Sequence, residues 1–147
     1  MVSKSVGKYV AAIYRQNQIL INKKLEEIDI KSGQQDFMYV ICNNEGITQK
    51  ELSERLYIGK ATTAKAVKSL IESGYIKREK DTKDKRFYKL YLTDKGREVA
   101  PLVKSTFKDI RDICLTDFTE EETKQAINML KKILDNVYNK AKDIDCD

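Results

Sequence analysis

The chain contains no histidine, which excludes imidazole acid–base catalysis, imidazole metal ligation and the usual charge switch near neutral pH in one step. Its three cysteines, Cys42, Cys114 and Cys146, are odd in number, far apart and in no C-x-x-C pair. Neither a disulfide framework nor a zinc site is written there, and reduced, unpaired thiols are expected. No apolar run approaches the roughly 18 residues that span a bilayer, and MVSKSVGKYV lacks the apolar stretch and cleavage site of a secretion signal. The expectation is a cytoplasmic protein with no membrane segment. Nucleophile–base pairs, phosphate loops and metal clusters are missing too, so an enzyme is the least favoured class and no cofactor is expected.

What is present is charge. Charged residues make up 35% of the chain, against roughly 25% in an average soluble protein, and this points to long helices with solvated faces. At 147 residues one domain is the natural expectation. The net charge of +5 is unevenly placed: from Lys60 to Lys89 ten bases face four acids, a local +6 that leaves −1 for everything else. Such a concentration is the electrostatic footprint of a surface that meets a polyanion.

The apolar pattern supplies the elements. Val6, Val10, Ile13, Leu20, Ile21, Leu25 and Ile28 predict a long amphipathic helix over about Lys4 to Ile28, with Asn17 as a polar gap. Ser32 and Gln35 have capping-box spacing and predict the start of a second helix carrying Phe37, Met38, Val40 and Ile41 inward, stopped at Asn43-Asn44-Glu45-Gly46. Thr48 and Glu51 repeat the box for a short helix over about Gln49 to Leu56. After a turn at Tyr57-Ile58-Gly59, a fourth helix runs from about Lys60 to Ser73 and ends at Gly74. Its inward face is Thr63, Val67, Leu70 and Ile71. Its outward face, Lys60, Ala61, Thr62, Ala64, Lys65, Lys68 and Ser69, combines short side chains with cations and has no acid before Glu72, which suits entry into a major groove.

Residues 75–80 and 87–92 read as two strands, the second by the period-two alternation of Tyr88, Leu90 and Leu92 with Phe87, Lys89 and Tyr91, joined by the polar tip Asp81-Thr82-Lys83-Asp84-Lys85-Arg86. The hairpin is a wing. Thr93 can cap a further long helix that contains Pro101, where a kink or a locally broken hydrogen bond near Arg97 is expected. Thr119 to Glu122 forms a third capping box, opening a last helix with Ala126, Ile127, Leu130, Ile133, Leu134, Val137 and Ala141 on one stripe. The fold class is therefore mainly α with a small β-hairpin wing: one domain over 1–147, a winged helix-turn-helix lobe over 32–93, and long helices in 1–30 and 94–147. Those long helices carry more apolar surface than the lobe can cover, which argues for a second copy of the chain.

The stretch from Ile47 to Gly96 resembles the MarR family of transcriptional regulators. The resemblance rests on Gly46-Ile47-Thr48-Gln49 with Glu51-Leu52, Leu56 and Leu70, Glu72 through Gly74-Tyr75-Ile76, the wing Asp81-x-Lys83-Asp84-x-Arg86, and Leu90-x-Leu92-Thr93-x-x-Gly96. Helix order on both sides fits as well. Where the family pattern has arginine this chain has Lys83, which keeps the charge and loses the bidentate fork. The resemblance implies an obligate homodimer joined through its first and last two helices, binding a pseudo-palindrome in double-stranded DNA, most often as a repressor. It implies that Arg86 enters a minor groove while Asp84 orients it, with Lys83 and Lys85 beside them. A guanidinium is favoured in a narrow A·T-rich minor groove on physical grounds too. Many members respond to small anionic aromatic molecules; residues near the corresponding cleft are Tyr9, Arg15 and Tyr39.

Blander readings stand beside these. Lysine-rich faces are usually just solvated, Thr62 could simply stabilise a helix start, and Tyr57, Tyr75, Tyr88 and Tyr91 could all be packing residues. Cys42 reads as a small core residue. The alternative function is a winged-helix protein-interaction module without selective DNA binding, and the concentrated basic segment weighs against it.

Overall fold

The computed structural model describes residues 3–144, with side chains from residue 5 onward, so Cys146 lies outside the described residues. Six α-helices and one hairpin follow in the order α1 (Ser3–Lys24), a 3-10 turn (Ser32–Gln34), α2 (Gln35–Asn43), α3 (Gln49–Leu56), α4 (Lys60–Glu72), β1 (Ile76–Lys80), β2 (Tyr88–Leu92), α5 (Asp94–Cys114) and α6 (Glu120–Ile144). The molecule is mainly helical with a two-stranded wing, as its periodicity predicts.

Two starts and ends differ from the pattern. The first helix stops at Lys24 rather than Ile28, because the backbone N–H of Asp29 donates to the Tyr75 hydroxyl at 3.0 Å and draws the chain toward the lobe. Ser32 and Gln35 do not cap each other. Both side chains donate to the Asn22 amide oxygen on α1, each at 2.8 Å, so residues spaced like a local cap serve as a tertiary tie. At Thr48 half of the box is formed, its Oγ1 accepting the Glu51 N–H, and at Thr119 the whole box, Thr119 and Glu122 capping reciprocally at 3.1 and 3.0 Å. The last helix α6 starts on that second box.

One core unites the lobe. Phe37, Met38 and Ile41 of α2, Leu52 of α3, Val67 and Leu70 of α4, Tyr75 and Ile76, Leu90 and Leu92 of β2, and Ala100 and Val103 of α5 pack together, with Cys42 among them. A smaller cluster of Ile21, Leu25 and Ile110 joins α1 to α5. The wing is antiparallel with Arg78 opposite Leu90, and Ile47 adds a single bridge to the outer edge of β2. Gly46 and Gly74 take positive φ at the ends of α2 and α4, where L side chains are strained. Helix α5 is continuous through Pro101; the proline has no N–H to give the Arg97 carbonyl.

The wing root is joined to α5 more tightly than the sequence suggests. A Cβ on Gly96 would stand 2.1 Å from the Tyr75 carbonyl oxygen, so only glycine allows α5 to lie against the end of α4. Lys95 Nζ donates to the Ser73 carbonyl at 2.6 Å on the same side. On the other side Glu45 makes a three-way joint. Its Oε1 accepts the Leu92 N–H at 2.9 Å, taking the place of a third-strand carbonyl, and its two oxygens receive Arg97 at 3.0 and 3.1 Å.

Candidate nucleic-acid interface

Helices α3 and α4 form a helix-turn-helix held from inside by a buried hydrogen bond, Ser53 Oγ to Thr63 Oγ1 at 2.8 Å. Thr63, Ala66, Val67 and Leu70 bury one face of α4, which leaves Lys60, Ala61, Thr62, Ala64, Lys65 and Lys68 exposed on the other. That is the face expected from the pattern, with one revision at its edge: Ser69 is half-buried and accepts from Gln34 Nε2 at 2.7 Å. The Lys68 ammonium lies 4.0 Å from Glu72, a solvent-exposed pair of little energetic weight.

The turn before α4 contains an unusual residue. Tyr57 sits at φ 55°, ψ 41° in the left-handed region, a conformation that costs an ordinary L-residue about 1–2 kcal/mol. Gly59, at the N-cap of α4, offers no side chain, so the first amides of that helix point outward without a side-chain partner. Between them and α3, Gln49, Lys50, Ser53 and Lys60 line a groove of about 230 Å³. Unpaired helix-start amides with two lysines make a ready seat for a phosphate.

At the wing tip the Asp81 carboxylate accepts the Lys83 N–H at 3.2 Å, and Asp84 accepts the Arg86 N–H at 3.1 Å, two local turns of the kind aspartate favours. Asp84 also grips the Arg86 guanidinium with both oxygens, at 3.0 and 2.8 Å. The side-chain hydrogen bond with Arg86 holds the Asp84 carboxyl below its usual range and raises the arginine in return. Arg86 is nonetheless 84% exposed. A guanidinium has five N–H donors; two are committed to Asp84 and three remain to meet a ligand. Lys83 and Lys85 stand exposed beside it.

The ten residues singled out on α4 and the wing therefore lie on one lobe, and apart from the Asp84–Arg86 pair and the weak Lys68–Glu72 pair their side chains stand bare at the surface. The three effector candidates are more scattered. Tyr9 and Arg15 are exposed on α1, while Tyr39 is half-buried and stacked on Phe107 at 4.4 Å. Among the described residues no hydrogen bond or ring contact joins the three.

Sequence reasoning missed Gln49, Lys50, Arg78 and Glu45. Arg78 donates to Gln49 Oε1 at 2.9 Å and lies 5.7 Å over the Tyr88 ring, linking wing and α3. Its place in the basic segment was a usable signal. Glu45 looked like part of a helix stop, and nothing local marked its bond to Leu92.

A capped positioning helix, a second helix with a bare basic face and a basic hairpin, in this order and packed on one core, define a winged helix-turn-helix protein. The MarR family profile matches residues 28–86. The HTH-type transcriptional regulator BilQ of Clostridium symbiosum is 32% identical over 126 residues, 85% of this chain and 88% of that protein. A MarR transcriptional regulator of Methanosarcina mazei Go1 superposes with a TM-score of 0.75 at 34% identity, over 92% of this chain and 98% of the other. A MarR family regulator of Listeria monocytogenes complexed with a 26mer DNA superposes at 0.82 with 27% identity, over 92% and 90%. The chain belongs to the MarR family of transcriptional regulators.

Proposed function

We propose that this protein is a DNA-binding transcription regulator that acts as a homodimer on a pseudo-palindromic operator, most simply as a repressor. The observation that carries this reading is the bare face of α4, Lys60 to Lys68, standing on the same lobe as the Arg86 wing and holding no acid before Glu72. α4 enters a major groove with its small residues, its lysines and Lys50 meet phosphates, and Arg86 reaches the adjacent minor groove.

The dimer follows from surface that a single chain leaves open. No residue of α6 is buried, and Ile127, Met129, Leu130 and Val137 are exposed on it, as are Val6, Val10 and Ile13 on α1. A second copy that covers these helices places two reading heads about one helical turn apart. Release of DNA by a small anionic aromatic effector near Tyr9, Arg15 and Tyr39 belongs to the same reading, supported by the exposed ring and guanidinium on α1.

The test is selection of duplexes from a randomised pool, followed by affinity against salt. Recovery of an inverted repeat whose affinity falls steeply with salt is the expected result. A flat salt response removes the DNA reading.

A further inference from the structure

Besides the packing of α2 on α5 and the tie of Ser32 and Gln35 to Asn22, the reading head meets the long helices at either end of α4. One is the root of α5, fixed by Gly96, Lys95 and the joint of Glu45 with Arg97. The other lies at the opposite end of α4: the ring of Tyr138, near the end of α6, meets the ring of Tyr57 edge-on, centroids 5.2 Å apart and planes at 88°. Only Ile58 and Gly59 separate Tyr57 from the first residue of α4.

This second contact is a clasp and not part of a core. Tyr57 and Tyr138 are both exposed, and a cavity of about 340 Å³ opens beside them, bordered by Lys50, Glu54, Lys60 and Lys142. No buried residue of α6 backs it. Edge-to-face rings attract through their quadrupoles, and the attraction depends on orientation as well as contact. A left-handed backbone at a bulky residue is an outlier that persists only where the surroundings hold it. At Tyr57 glycine would satisfy the backbone better, and what the tyrosine adds is its ring contact with Tyr138.

We propose that Tyr57 and Tyr138 are positioning residues for DNA recognition: their clasp fixes the angle between the reading helix and the dimerisation helices, and so sets the half-site spacing the dimer accepts. The α5 root acts as the pivot and the tyrosine clasp as the stop; together they define where α4 stands relative to the two-fold axis. The proposal rests on the DNA-binding reading above.

The test compares Tyr57→Gly, Tyr138→Ala and Tyr138→Phe with the unaltered protein. Affinities are measured for the selected inverted repeat and for versions with one base pair inserted or deleted at its centre. The glycine and alanine variants are expected to lose most of the spacing preference, at least threefold in the affinity ratio. Their salt slope should be that of the parent, since no cation has been removed. Tyr138→Phe keeps the ring and should keep the preference. Tyr57→Gly should melt no lower than the parent, because it relieves the backbone, and this separates positioning from general stability. Spin labels at Arg55→Cys and Lys132→Cys, in a chain with its native cysteines replaced and diluted with unlabelled protein, supply a DNA-free readout. The distance distribution should broaden in the glycine and alanine variants and stay narrow in Tyr138→Phe. An unchanged spacing preference in Tyr138→Ala overturns the proposal, as does equal loss in Tyr138→Phe or an unbroadened distribution. Failure of the unaltered chain to bind any duplex instead refutes the DNA-binding reading, and the label distances then decide whether the clasp holds.

Discussion

Arg86 and Asp84 are separated by one residue, and the two hydrogen bonds between their side chains give the wing a guanidinium already held in place. Holding it in advance lowers the entropy cost of seating it in a groove. Arg86→Ala should cost about 1–3 kcal/mol of operator affinity per half-site, read by gel shift. Asp84→Asn should cost less, since the cation survives and only its orientation is lost. The Asp84 carboxyl is depressed by its hydrogen bonds with Arg86. Its pairing is therefore complete above the ordinary aspartate pKa of about 3.9 and is lost only as pH falls through the lower folded-state value. A carboxyl titration followed by NMR should place Asp84 below an unpaired aspartate, and Arg86→Ala should raise it only part of the way back, since the residue 86 N–H still donates to the carboxylate. Glu45 behaves alike: burial opposes its charge, but the Leu92 N–H and Arg97 outweigh that and lower its pKa. Gly96→Ala is a different kind of lesion. Its Cβ would overlap the Tyr75 carbonyl, and a thermal melt should show a loss of about 2 kcal/mol or more.

Elements were legible where their signals are local. Thr48 accepts the Glu51 N–H, and Thr119 and Glu122 cap reciprocally, because each partner lies within one helical turn. Thr48→Ala and Thr119→Ala should each lower stability by about 1 kcal/mol, measured by denaturant melts. Ser32 and Gln35 carry the same spacing and do something else, since Asn22 on another helix competes for both. The bare face of α4 could be read from the sequence because its buried face has helical period. Glu45 could not, because its partners Leu92 and Arg97 are about fifty residues away and only the fold brings them near. The left-handed turn was equally hidden: Tyr-Ile-Gly invites glycine into that conformation, and tyrosine takes it instead.

At the scale of the molecule, the charge map was readable from one sequence, because it needs only a count along the chain. Binding to the operator should fall with a log–log slope of about −0.9 for each phosphate neutralised. The open apolar faces of α1 and α6 are the largest feature the single chain leaves unexplained. Light scattering should give a dimer at micromolar concentration, and a monomer there would remove the two-headed architecture. That α6 is a 25-residue helix without one buried side chain has a further consequence. In the proposed dimer such a helix, held by so little of its own chain, would draw its stability from its neighbour, and folding and assembly would become one equilibrium governed by mass action. The melting temperature should then climb with protein concentration, and freshly made chains, while scarce, should be open to proteases along α6. A cell would hold this protein either in pairs or hardly at all, and its abundance would respond to synthesis more steeply than in proportion.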